Sequence, residues 1–196
     1  MDDSTFFDNI AASWDANETL STPEKVNSIL DLLNMQPSQE ILDLGTGTGV
    51  LLPFIAQRIG EKGKITAVDY SSGMLDIARK KFSTLSPSPV FLKLDFENEN
   101  IPGEFDRIIL YCVYPHLHTP IETLKWITKV NLKKTGILVI AFPCGPDFIN
   151  NIHKERKSES DKLPPASQLA EFLCNNGLKA EVKAESEDKY VIFLYP

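Results

Sequence analysis

A chain of 196 residues, 42% hydrophobic and 24% charged, is long enough for one domain with a full core, cramped for two, and too apolar for disorder. Its net charge of −7 repels polyphosphate, and the basic clusters Arg79-Lys80-Lys81 and Lys154 to Lys157 are too short and too mixed with acids to reverse that field, so nucleic acid is not expected as a partner. The acidic start MDDSTFFDNI lacks a signal-like apolar core, no uncharged run has the length of a membrane span, and Cys112, Cys144 and Cys174 show no disulfide-like pattern; a cytoplasmic protein is the expectation.

In chain order, Thr22-Pro23 offers an N-cap and a first-turn proline for a helix reaching about Asn34. Strand-length apolar runs follow at EILDL (40–44), KITAVD (64–69), VFLKLD (90–95), FDRIILYC (105–112) and GILVIAF (136–142). Between them, Val50 to Ile59, Ser71 to Phe82 and Ile121 to Val130 carry apolar residues at spacings of three and four, as one face of a helix requires. Near-continuous apolar strands alternating with helices predict an α/β doubly wound parallel sheet with right-handed crossovers. Pro164-Pro165 opens a further helix ending at Gly177, and LKAEVKAE (178–185) with YVIFLY (190–195) reads as an antiparallel hairpin closing the sheet. The connection 143–163 is longer than usual and holds a short helix around Asp147 to Glu155, either over a ligand or as a solvated surface helix.

The densest chemical signal is ILDLGTGTGVLLPFIA (41–56), a strand that ends in Asp43 and runs through Gly45, Thr46, Gly47 and Gly49 into a helix. Glycines let backbone N–H groups approach a ligand at a helix N-terminus. The spacing is GxGxG and not the dinucleotide GxGxxG, and an acid just before the first glycine would repel phosphate but suit an ammonium group. Asp69, at the end of the next strand and about two dozen residues beyond Gly45, is positioned to accept ribose hydroxyl protons. Ribose, no phosphate and a cationic amino-acid tail describe S-adenosylmethionine. An NAD-dependent oxidoreductase is the disfavoured alternative.

LDLGTGTG, AVDYSSGMLDIARKK, FLKLDFENENIP and FDRIILYCVYPHL together resemble, in order and spacing, the motifs of class I S-adenosylmethionine-dependent methyltransferases over roughly residues 40 to 142. FFDNIAASWD resembles the cap helix of the small-molecule branch that includes quinone-biosynthesis enzymes. The resemblance implies a single Rossmann-like domain, with N-terminal cap helices over 1–36 and a seven-stranded sheet of order 3-2-1-4-5-7-6 with the seventh strand antiparallel. It also implies that Asp43 and the Gly45 to Gly49 loop hold the methionine end and that Asp69 binds the ribose. Asp95 would meet the adenine amino group with Phe96 beside it, Tyr70 and Met74 would flank the ring, and Phe7 and Trp14 would close the site. Plainer roles stand beside these: Met74 as core, Asp95 as the opener of a turn.

The acceptor is expected to be a small molecule in a pocket beyond the carboxyl ends of the strands. His116 and His118 follow the fourth strand and His153 lies in the insertion after the fifth. His118, beside Thr119-Pro120, reads as a helix-start residue. Tyr114, His116 and His153 are the candidates to touch the acceptor or move its proton, with Asp161 available to orient a histidine. Cys112 and Cys144 could join His116 and His153 in a soft-metal set or handle an arsenic-like acceptor, but none shows CxxC or HxxxH spacing, so no metal is expected. Binding without turnover, and transfer to a protein or nucleic acid, are the remaining alternatives.

Overall fold

Within Glu40–Leu44 the side chains alternate: Ile41 joins one apolar cluster, Leu42 and Leu44 join another, and all three are fully buried. A strand with no solvent face must lie inside a sheet covered on both sides. The computed structural model describes residues 3–17, 20–155 and 162–196, with side chains over 5–16, 20–151 and 162–196. In it this segment, β1, is an interior strand of a seven-stranded sheet, with β2 (Lys64–Asp69), β3 (Val90–Lys93), β4 (Phe105–Tyr111), β5 (Leu132–Phe142), β6 (Lys179–Ser186) and β7 (Lys189–Tyr195). Their order is β3-β2-β1-β4-β5-β7-β6, and β7 runs antiparallel to both neighbours. The fold class and strand order are those expected from the sequence.

Helices α2 (Pro23–Leu30) and α3 (Leu52–Ile59) cover the face that carries Ile41, Ile109 and Val139. Helices α5 (Pro120–Val130) and α7 (Ala166–Asn175) cover the face that carries Leu42, Ile108, Leu110 and Ile140. Truncating any of these buried residues to alanine removes its transfer energy and leaves a cavity, a loss of about 2–5 kcal/mol. The remaining helices are α1 (Asp3–Asn17), α4 (Ser72–Lys81) and α6 (Pro146–Glu155). Ser71 caps α4 by accepting the Met74 N–H.

Among the boundaries that differ from the sequence reading, three have a visible setting. Helix α2 stops at Leu30 and tightens into a 3-10 turn, Asp31–Leu33, closed by Asn34 in the left-handed region at φ 43°. Strand β3 stops at Lys93, because Asp95 takes its own turn through the Glu97 N–H at 3.1 Å. Strand β5 begins at Leu132, four residues early. Its two lysines fall outside the strand read from GILVIAF, but Lys133 Nζ lies 2.9 Å from both Glu40 and Asp106, which draws that end into the sheet.

Candidate active site

Parallel strands that end together leave a crevice at their carboxyl ends. Here the ends of β1, β2 and β4, the turn after β3, and α1 and α6 enclose a cavity of about 380 Å³. Asp43, Gly45, Thr46, Gly47, Asp69, Tyr70, Met74, Asp95, Phe96, Trp14 and His116, all singled out in the sequence, line it.

The glycine loop is held by its own backbone. Gly45 and Thr46 both donate N–H groups to the Val68 carbonyl at 2.9 Å, which draws the loop over the end of β2. Gly45 has φ 69°, and a Cβ on it would stand 2.5 Å from Val113 Cγ2, so glycine is required twice over. Gly47, at φ 54°, has no atom within 4 Å of its missing Cβ and faces open space. Gly49 does not line the cavity; a Cβ there would meet the Phe82 ring at 2.7 Å, so this glycine seats α3 against its neighbours.

The two carboxylates are buried and differently supported. Asp43, 2% exposed, accepts the Thr46 hydroxyl at 2.7 Å. Burial pushes its carboxyl up to about 7, against the Thr46 hydrogen bond, with the charge of Asp69 adding to the rise. Asp69 accepts the Gly47 N–H at 2.8 Å on one oxygen and the Ser71 N–H at 2.9 Å on the other. Burial raises its carboxyl and these amide donors oppose the rise. A backbone hydrogen bond from Tyr70 adds a third amide donor to the same carboxylate. Asp95 accepts the Glu97 N–H and the Asn98 side-chain amide, at 3.1 and 2.7 Å, so the turn role and a place in the cavity wall coexist.

Opposite the carboxylates the wall is aromatic. Phe7, from α1, sits edge-on to Trp14, Tyr70 and His116 with ring centroids 5.8, 6.1 and 5.7 Å away. Beyond it the lining is mostly apolar, including Leu20, Val113, Leu117, Phe142, Phe148 and Ile149. The Tyr111 hydroxyl donates to Ser21 at 3.0 Å among them.

The predicted acceptor-side residues separate. His116 is half-buried in a 3-10 turn, Tyr114–His116, and reaches the cavity. Tyr114 does not: it is 8% exposed, packs into the core, and burial raises its phenol to about 12, so it is withdrawn as a residue touching the acceptor. Two residues earlier, Cys112 takes φ 60° as the chain leaves β4. His118 is exposed and its Nδ1 lies 3.1 Å from Glu97, which also accepts the His118 and Thr119 N–H groups at the start of α5. Backbone N–H donors hold the Glu97 carboxyl below its usual value against its burial. His153 lies on α6 with its side chain outside the described residues, and Asp161 lies outside them altogether. Among the described residues no three His, Cys, Asp or Glu side chains converge as a metal site.

Asp8 and Asp15 escape a sequence reading focused on motifs. Asp8 accepts the Ser71 hydroxyl and the Gly73 N–H, and Asp15 accepts the Thr48 hydroxyl and Lys81, which ties α1 to the glycine loop and to both ends of α4. Their spacing, seven residues apart and each following an aromatic residue, is the available signal.

The family described as Methyltransferase domain matches residues 41–136. The chain is 29% identical over 134 residues to a protein-L-isoaspartate O-methyltransferase of Methanococcoides burtonii, covering 67% of this chain and 62% of that one. It is 31% identical over 137 residues to a malonyl-[acyl-carrier protein] O-methyltransferase of Priestia megaterium, covering 69% and 48%. The chain thus spans about half to three-fifths of the length of these relatives. Among solved structures, the DhpI–SAH complex superposes with a TM-score of 0.74 at 14% identity, over 98% of this chain and 94% of the other. No helix among the described residues is long and apolar enough to cross a membrane. Strand order, glycine loop, paired carboxylates and these likenesses agree: residues 41–136 belong to the methyltransferase-domain family, on the fold of the class I S-adenosylmethionine-dependent methyltransferases.

Proposed function

We propose that the protein transfers the methyl group of S-adenosylmethionine to a neutral, largely apolar small molecule by in-line displacement. One observation carries the cofactor half of this reading: two buried carboxylates, Asp43 and Asp69, flank the open face of Gly47 with no cation paired to either among the described residues. An ammonium donor would return Asp43 to its charged form, and Asp69, at the end of β2 in the cavity wall, is the acceptor for the ribose hydroxyls. Tyr70 and Met74 flank the adenine, Asp95 accepts from its amino group beside Phe96, Thr46 orients Asp43, and Phe7 and Trp14 close the site.

The cofactor supplies an electrophilic methyl on a sulfonium, so the residues of this chain have to align the acceptor and exclude water. The lining of Leu20, Val113, Leu117, Phe142, Phe148 and Ile149 favours an uncharged acceptor, since a bare charge against it would lose its hydration; Glu97 and His118, which also line the cavity, are already paired with each other. His116 is the residue to take a proton from a hydroxyl or amine acceptor; His153 is a second candidate by its place on α6.

A protein-borne acceptor is the second reading, favoured by the name of the isoaspartate relative. Turnover of S-adenosylmethionine against phenols, neutral alcohols, carboxylic acids and an isoaspartyl peptide discriminates the two. His116→Ala should leave S-adenosylhomocysteine affinity within about twofold while turnover falls roughly 100-fold, the range of lost general-base catalysis. Equal loss of binding and turnover would remove His116 from the proton step.

A further inference from the structure

Helix α1 repeats a pair at an interval of seven residues: Phe7-Asp8 and Trp14-Asp15. Two helical turns bring each repeated residue back to the same face. Phe7 and Trp14 line the cavity, whereas the two aspartates reach past it to separate parts of the cofactor framework. Asp8 Oδ1 accepts Ser71 Oγ at 2.6 Å and the Gly73 N–H at 2.8 Å. Ser71 in turn caps α4 and donates its N–H to Asp69. Asp15 Oδ1 accepts Thr48 Oγ1 at 2.6 Å inside the glycine loop, and its Oδ2 accepts Lys81 Nζ at 2.8 Å at the far end of α4. Between these anchors Ala11 is buried, and a Cβ on Gly73 would stand 3.3 Å from the Ala11 Cβ and 3.2 Å from Asp8 Oδ1.

We propose that Asp8 and Asp15 are positioning residues that clamp α1 across the bound cofactor and set how long it stays. The proposal rests on the cofactor reading of the cavity. Neither carboxylate lines the cavity, so each acts through what it holds: Phe7 and Trp14 in the wall, Ser71 beside Asp69, and Thr48 between Gly47 and Gly49. Hydrogen bonds to an ionised acceptor are the stronger kind, and each aspartate accepts two. Because the anchors sit on the two loops that grip opposite ends of the ligand, release of α1 loosens both loops together. A ligand held this way leaves only after the clamp opens, which makes dissociation the step the aspartates control.

The chain contains two tryptophans, and Trp126 is exposed on α5, away from the cavity lining. In a Trp126→Phe background, Trp14 fluorescence therefore reports on α1 alone. Stopped-flow displacement of S-adenosylhomocysteine should give an off-rate that rises about tenfold or more in Asp8→Ala/Asp15→Ala, with the on-rate changed less than about threefold. Gly73→Ala is the control for folding. It keeps both aspartates and replaces a helical glycine with a better helix former, yet wedges α1 outward, so its off-rate should rise while its unfolding midpoint holds or increases. Should the double variant be too unstable to measure, the off-rate of Gly73→Ala decides. A parent that binds S-adenosylhomocysteine while the measurable variants release it within about twofold of the parental rate overturns the clamp alone; a well-folded parent that binds none overturns the cofactor reading and the clamp with it.

Discussion

At the amino ends of the strands, Glu40 and Asp106 sit among lysines: Lys64 reaches Glu40 at 2.7 Å, and Lys133 lies 2.9 Å from Glu40 and from Asp106. At the carboxyl ends, Asp43 and Asp69 are buried and receive only hydroxyl and amide donors among the described residues. The hydrogen bonds from Lys64 and Lys133 hold the Glu40 carboxyl below its usual value, while burial drives Asp43 and Asp69 above theirs. One end of the sheet thus satisfies its own charges and the other leaves a charge to be completed from outside. Stability is surrendered where a ligand is to be gripped.

The largest effect expected from breaking this contrast is at Asp69. Asp69→Ala should weaken S-adenosylhomocysteine binding about 100-fold by calorimetry, the sum of two hydrogen bonds to a charged acceptor at roughly 1.5 kcal/mol each. The Gly47 and Ser71 N–H groups would lose their acceptor too, so the variant also tests whether the loop holds its shape. An affinity within threefold of the parent would remove Asp69 from the ribose role.

Asp43 makes a smaller but two-sided prediction. Its carboxyl titrates near 3.8 when unperturbed and at about 7 in the fold, so over that interval the folded state keeps a proton the unfolded state has lost. The part of the stability linked to Asp43 in the cofactor-free protein should accordingly fall as pH rises from about 4 to about 7, with Asp69 contributing in the same direction and the lowered carboxyls of Asp8, Asp15, Glu40 and Glu97 in the opposite one. Asp43→Asn should flatten part of that slope, raise the melting temperature at pH 8, and weaken cofactor binding about tenfold. An unchanged slope in the variant would show that Asp43 is already ionised without ligand.

These contrasts were legible in the sequence to unequal degrees. β1 and β2 have the bounds read from EILDL and KITAVD, because a strand buried on both faces is written as an uninterrupted apolar run. The glycine loop was legible for a similar reason, since backbone geometry there demands a particular residue. The burial of Tyr114 was not legible because it sits in a 3-10 turn that follows a left-handed residue, Cys112, and no residue type there announces either. The role of Glu97 in starting α5 was invisible because its partners, His118 and Thr119, lie more than twenty residues away and no local spacing encodes the contact. Lys133 fell outside the strand read from GILVIAF for the same reason: its partners come from β1 and from the Asp106 position of β4.

The smallest prediction concerns that lysine. A double-mutant cycle on Lys133→Ala and Asp106→Ala should return a coupling energy of only about 0.5–1 kcal/mol, since all three charged groups are a fifth to a third exposed and solvent screens them. Asp106→Ala alone should cost more than the coupling, because Asp106 also accepts the Glu40 N–H at 2.8 Å and that donor would be left without it. The pH dependence at this end has the opposite sign from that at the site: the stability linked to the lowered carboxyl of Glu40 is present above its ordinary value and lost as pH falls through the folded one. Added salt should shrink the coupling, and cofactor affinity should stay within about twofold throughout. A coupling above about 2 kcal/mol, or one that carries cofactor affinity with it, would mean that the two ends of the sheet are energetically linked, and the division of labour between them would fail.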